Sequence, residues 1–242
     1  VQKAEDMLMA SLSVTPDHYK SLRLLSNLLF EQKRFQESYE IHTQMLQYFP
    51  PNPKKISELI KLAIITKHYE DIMNLNNVFA EVMDDLQVSE RISISAGLAV
   101  SGRHLLNQKE TKRAKEVLKD AAKMANGKKE VLSSIINTLL IHKEGKFAMT
   151  MLEEFASDSI TGDEFSFLEL QIVYKASKDI NRILKLANTL LGNNTVKDPL
   201  IYQIAIEKSV ALEVKKERVN ELIDDAIKAF PDNNAFFETY RK

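Results

Sequence analysis

Cysteine is absent from this sequence of 242 residues. Disulfides and thiol chemistry are thereby excluded, and a zinc site built from histidine alone is not expected. Glycine and proline number six each, which leaves few of the interruptions an all-β chain needs. Long apolar runs are missing too. The longest stretches, such as Leu139-Leu140-Ile141, break off quickly, far short of the roughly 18 residues that span a bilayer. Neither charge is in excess: a formal net charge of -1 implies no global attraction to nucleic acid or to an anionic membrane. The chain starts at Val1 without a signal-peptide pattern and reads as a fragment of a longer protein. The composition suits a cytoplasmic protein, which is the expectation, although a disulfide-free periplasmic protein would look the same.

The sequence does contain a helical pattern that returns. Apolar residues make up 44% and charged residues 28%, an ordinary balance for a folded chain long enough to bury a large core. Pro16 and Pro50 lie 34 residues apart, and each closes an apolar-periodic segment. Between them the spacing predicts one helix over Asp17–Glu31, a turn at Gln32-Lys33-Arg34, and a second helix over Phe35–Tyr48. Leu22, Leu25, Ser26 and Leu29 share one face of the first helix, and Ser38, His42 and Met45 one face of the second. Small Ser26 and Ser38 let the two helices approach. Pro50 ends the pair because it lacks an amide donor and clashes with the preceding turn.

The order Leu22, Leu25-Ser26, Leu29, Phe35, Ser38, His42, Met45, Pro50 resembles the signature of the tetratricopeptide repeat (TPR) family, with His42 in place of the usual aromatic. The resemblance implies an all-α fold, a right-handed solenoid of antiparallel helix pairs with first helices lining a concave face. Ile56, Leu59-Ile60, Ala63, Tyr69, Ile72, Asn76 and Phe79 repeat the pattern 34 residues on, with Asn76 a poor fit. Read this way, the chain divides into 1–16 (a second helix whose first helix is missing), repeats at 17–50 and 51–84, an elongated unit at 85–126, a degenerate one at 127–161 with its inner turn at Gly145-Lys146-Phe147, repeats at 162–195 and 196–231, and a cap or new helix at 232–242. The missing partner of the first helix implies a native chain that extends upstream, with apolar surface exposed on helix 1–12.

Catalytic signals do not accompany this pattern. His18, His42, His68, His104 and His142 show no metal-ligand spacing, and structural roles are expected for all five. GxSxG, GxGxxG and phosphate-binding Gly loops are absent. Glu153-Glu154 and Asp224-Asp225 are adjacent in sequence and so diverge on a helix. The expectation is a non-enzymatic scaffold or adaptor, without cofactor or metal, that binds a protein or peptide. The alternatives are an output or sensor module of a bacterial signalling regulator, whose receiver or DNA-binding domain would lie upstream, and a self-assembling module. For the latter, Phe230, Phe236, Phe237 and Tyr240 crowd the C-terminus, either as a cap or as a homo-oligomer contact.

Register places Lys20, Arg23, Asn27 and Phe30 of the first helix, and Lys54, Ser57, Lys61 and Ile64 of the next, on the inner face. Arg and Asn one turn apart can hold a carboxylate by charge-assisted hydrogen bonds. Some TPR co-chaperones use a comparable clamp for the acidic tails of heat-shock chaperones. Arg23 and Asn27 resemble its first two members, but Glu58 stands near the place of an Asn and would repel such a tail. Ser93, Gly97 and Ser101 of a Ser-rich helix would also face the groove, making room for a ligand or for close packing. The candidate partner-binding set is therefore Lys20, Arg23, Asn27, Phe30, Lys54, Lys61, Ser93 and Gly97, for an acidic or polar segment. The stretch Arg103–Lys129 carries nine basic residues against three acidic. It lacks interleaved aromatics and reads as a solvated outer face; no nucleic-acid or membrane partner is expected.

Overall fold

A computed structural model describes residues 2–50, 52–75, 86–156 and 160–241. The repeat slots expected at Asn76 and Phe79 lie outside them. All regular structure among the described residues is helical. Two compact units divide the chain, Val1–Ala125 and Asn126–Lys242. No helix among the described residues is long and apolar enough to cross a membrane.

Unit 1 contains α1 (Gln2–Val14), α2 (Tyr19–Glu31), α3 (Phe35–Tyr48), α4 (Pro53–Ile65), α5 (Tyr69–Asn74), α6 (Val88–Asn107) and α7 (Thr111–Ala125). Successive helices pack as hairpins that lean on their neighbours: α1 on α2, α2 on α3, α3 on α4, α4 and α5 on α6, α6 on α7. On α2 and α3 the buried residues include those the 3.6-residue period selects, Leu22, Leu25, Ser26 and Leu29 against Ser38 and Met45, with Ser21 and Tyr39 buried beside them. Ser26 and Ser38 meet at 3.0 Å between their hydroxyl oxygens, and the Ser38 hydroxyl donates to the Ser26 carbonyl at 3.0 Å. α1 buries no side chain completely, and Met7, Met9 and Val14 are 65%, 54% and 83% exposed.

The inner turns share one backbone device. Lys33, Lys67, Lys109, Lys143 and Glu213 each adopt the left-handed conformation, with φ of 61°, 64°, 66°, 63° and 53°. Each sits two residues past a first helix and forms a Schellman closure: Lys33 N–H donates to Phe30 O and Arg34 N–H to Leu29 O, at 2.9 Å each, and the other four repeat the pattern. Four of the five positions hold lysine, which reaches this region only against the clash of its Cβ with the following carbonyl. The hairpin of α10 and α11 departs from the rule, because Ser177 is extended at φ -108°.

Unit 2 contains α8 (Lys129–Ile141), α9 (Gly145–Phe155), α10 (Gly162–Ala176), α11 (Ile180–Asn193), α12 (Pro199–Ala211), α13 (Lys216–Ala229), a 3-10 turn (Pro231–Asn233) and α14 (Asn234–Glu238). Start signals are explicit. Thr161 and Glu164 form a reciprocal capping box on α10, and Asp198 caps α12 ahead of Pro199. Gly145-Lys146-Phe147 is not a turn but the first turn of α9; the connection is His142–Glu144, with Lys143 left-handed. Gly145 is needed for closeness, since a Cβ there would lie 2.2 Å from that of Ala176. The C-terminal segment folds back on its own unit. Phe237 is fully buried in the core formed with Ile201, Ile204 and Ile223, whereas Phe236 remains 39% exposed.

One carboxylate anchors that segment. Glu207 accepts from the hydroxyls of Tyr174 and Tyr240, at 2.7 and 2.9 Å, and from the Gln203 amide at 2.9 Å. Burial alone would push the Glu207 carboxyl up, but its three donors outweigh it and hold the group below its ordinary range. Burial, and then the hydrogen bond to Glu207, raise Tyr174 and Tyr240 each from 10.0 to about 12.

Two predictions follow from the packing. Gly97→Ala places a Cβ 2.5 Å from Ile60 Cγ2 and is expected to destabilise by about 1–3 kcal/mol in urea unfolding. Gly162→Ala, where a Cβ meets nothing within 4 Å, is expected to be neutral or slightly stabilising. The raised tyrosines contribute stability that is complete below their unfolded value of 10.0 and lost as pH climbs toward about 12. Thermal melts of wild type are expected to fall over that window, and those of Tyr240→Phe to fall less steeply.

Candidate functional site

α2, α3 and α4 together frame an open pocket of about 290 Å3, lined by Ser26, Asn27, Phe30, His42, Glu58, Lys61 and Leu62. Its position follows from helical register. Ser26 turns inward to the hairpin contact, Asn27 is the next residue outward, and Phe30 lies one turn on, 46% exposed. Lys61 holds the place in α4 that Asn27 holds in α2, each six residues before a left-handed lysine. Arg103 and Asn137 occupy the same place in later hairpins, and all four are exposed.

At the pocket floor His42 bridges the two helices of the hairpin. Its Nδ1 lies 2.6 Å from Ser26 Oγ and 3.0 Å from Ser38 O, and its Nε2 is 3.6 Å from Glu58 Oε2. A protonated Nδ1 donates to Ser38 O and to the Ser26 hydroxyl oxygen, whereas an unprotonated one accepts from the Ser26 hydroxyl alone. The linkage of serine, histidine and carboxylate is not that of a nucleophilic triad. Ser26 is completely buried, so its hydroxyl cannot meet a substrate. The cluster ties the two helices of the hairpin together, with Glu58 Oε2 3.6 Å from Nε2 at the pocket wall.

Of the residues expected at the site, Asn27, Phe30 and Lys61 are brought together. Lys20 and Arg23 are exposed on α2, and Lys54 on the first turn of α4, but none lines the pocket. Ser93 is half-buried and donates to Ser89 O at 3.0 Å. Gly97 does not face the groove: it is buried beneath Ile60, Ile64 and Ile72 of the preceding hairpin. Ser101 is likewise buried, donating to Gly97 O at 3.0 Å. His42 and Leu62 entered the sequence reading as packing or not at all. The signal for His42 was its place in an aromatic slot one turn from Ser38.

Part of the basic stretch packs or pairs. α7 buries Ala114, Val117, Leu118, Ala121 and Ala122 on one face. Arg113 bonds Glu70 at 3.1 and 2.5 Å, and Lys129 pairs with Glu164. No group of three or more His, Asp or Glu among the described residues is placed to hold a metal ion.

No family model matches the sequence, and no curated protein matches it either. Solved structures do. The C-terminal part of a TPR repeat-containing protein from Cytophaga hutchinsonii superposes with a TM-score of 0.57 at 12% identity, over 90% of this chain and 83% of that one. The fold is that of the tetratricopeptide repeats. A tetratricopeptide repeat protein from Parabacteroides merdae (12% identity, 98% of this chain and 89% of that one) and YrrB, a TPR protein with an unusual peptide-binding site (11%, 93% of each), both give a TM-score of 0.42, too loose a fit to carry an argument. In the TPR-like hairpin of α2 and α3, the histidine is the stabilising departure from pattern. His42→Leu, which leaves the buried Ser26 hydroxyl with Ser38 Oγ as its remaining partner, is expected to lower unfolding stability by about 1 kcal/mol in urea titration.

Proposed function

We propose that the chain is a non-catalytic scaffold that holds an extended, acidic or polar segment of a partner protein against α2 and α4. The observation that carries this reading is the convergence of Asn27, Phe30 and Lys61, each on a different turn, around one open pocket. Phe30 and Leu62 offer apolar contact to a side chain, while Asn27 can both donate and accept along a peptide backbone. Lys61 supplies a charge for a carboxylate, with Lys20 and Arg23 on the exposed face of α2 extending the positive field along the groove. Glu58 limits that field. Its carboxylate, 3.6 Å from His42 Nε2, disfavours a second acid at the centre and favours a neutral or apolar residue there. The segment that fits is thus one with a carboxylate near Lys61 and an uncharged residue beside Glu58.

Charge reversal tests it. In affinity capture with the full chain as bait, followed by titration of the captured partner, Arg23→Glu with Lys61→Glu is expected to weaken binding at least tenfold. Glu58→Gln is expected to strengthen it. Binding unchanged by the double reversal would remove this groove as the site.

A further inference from the structure

His42 is the only histidine among the described residues that line the unit 1 pocket, and histidine is the side chain that ordinarily changes charge between pH 5 and 8. Its side chain is mostly enclosed, 10% exposed against 45% for Glu58. Every edge of the ring that carries a nitrogen faces oxygen. Nδ1 lies 2.6 Å from Ser26 Oγ and 3.0 Å from Ser38 O, and Nε2 lies 3.6 Å from Glu58 Oε2.

A neutral ring cannot serve both edges, because it carries one N–H and one lone pair. With the proton on Nδ1, the ring donates to the Ser26 and Ser38 oxygens, and the Nε2 lone pair is left opposite a carboxylate. With the proton on Nε2, the Glu58 edge is satisfied. Nδ1 then accepts from the Ser26 hydroxyl while its lone pair also meets the Ser38 carbonyl oxygen. Only the cation presents an N–H to all three oxygens. The serines accommodate that state. Ser38 O–H donates to Ser26 O, and Ser26 O–H can donate to Ser38 Oγ, each at 3.0 Å, so that Ser26 Oγ accepts from Nδ1.

The other charges around the ring are few. α4 contributes Glu58 and Lys61 to the pocket, and α2 contributes Ser26, Asn27 and Phe30, none of which ionises. Lys20 and Arg23 are exposed on α2 without lining it. With the ring neutral, one carboxylate and one ammonium offset each other. With the ring charged, Glu58 is answered by His42, and the charge of Lys61 stands unopposed.

We propose that the groove of unit 1 is gated by pH: protonation of His42 completes an ion pair with Glu58, offsets that carboxylate, and admits an acidic residue to the centre of the pocket. The preference of the groove thus changes with acidity. Beside Glu58 it takes an uncharged residue when the ring is neutral and an Asp or Glu when the ring is charged. This inference rests on the reading of the groove as a site for an acidic or polar segment and adds a condition to it.

Two measurements test it. The first needs no ligand. Ring 15N shifts report the charge on His42 directly, and the pH of half-protonation is expected to fall in Glu58→Gln, which removes the carboxylate that favours the cation. An equal value in the two proteins would overturn the ion pair and the gate with it. The second uses a peptide selected on the full chain at pH 6 from a random phage library, capped at both ends; its Asp and Glu side chains stay ionised between pH 6 and 8. By fluorescence anisotropy its affinity for wild type is expected to fall about threefold from pH 6 to pH 8. Glu58→Gln is expected to bind tightly at pH 8 and to vary less, and His42→Gln to show no pH dependence. Circular dichroism at each pH controls for folding, and Glu58→Gln, at a partly exposed position, carries the test if His42→Gln does not fold. A peptide lost in Lys61→Glu whose affinity for wild type is flat with pH would overturn the gate and leave the groove standing. PH dependence that persists in His42→Gln would assign the effect to another group and overturn it as well. Binding untouched by Lys61→Glu would remove the groove, and the gate with it.

Discussion

Each of five helix hairpins is closed by a residue held at positive φ, with the next amide reaching back to the last turn of the first helix. That closure reverses the chain in three residues and so sets how the second helix leaves the first. Lysine at four of the five positions accepts about 1–2 kcal/mol of backbone strain each, tolerated because stacking against neighbouring hairpins over-determines the geometry. From this one constraint the register of every surface follows. The residue six places before each closure is polar, exposed at the four lysine closures and enclosed by donors at Glu207, and the one three places before is apolar. Asn27 with Phe30 and Asn137 with Leu140 are two copies of that arrangement, and both stand in pockets.

Small residues at the crossings are the companion constraint. Ser26 against Ser38, Gly97 under Ile60, Gly102 against Leu118 and Gly145 against Ala176 bring helices closer than a branched side chain would permit. This is why Gly97 is misassigned by register alone. α6 is long enough, at 20 residues, to contact α4, α5 and α7, so more of its circumference is covered than a two-helix count allows. Gly145 misleads differently. Glycine commonly marks a turn, yet here the turn falls to Lys143 and the glycine is spent on proximity.

The fold was legible because its period is redundant: the same apolar slots recur in 17–50 and in the hairpin of α10 and α11, and one failed slot does not break the pattern. The site was legible only in part. Asn27, Phe30 and Lys61 could be found by counting along helices. Glu58 was read from register as repelling an acid, but its closeness to His42 depends on where α4 sits against α3, which no single helix encodes.

Contacts that run chiefly between adjacent hairpins have a consequence for how such a chain can vary. The closures at Lys33 and Lys67 are 34 residues apart, those at Lys67 and Lys109 are 42, and those at Lys109 and Lys143 are again 34. An insertion of eight residues has been absorbed within a single period without shifting the phase of those on either side. In a globule with one shared core, the same insertion would have to be accommodated by every layer at once. Within a unit it is a local event, so the spacing between hairpins can change while the five left-handed inner turns still close in the same way.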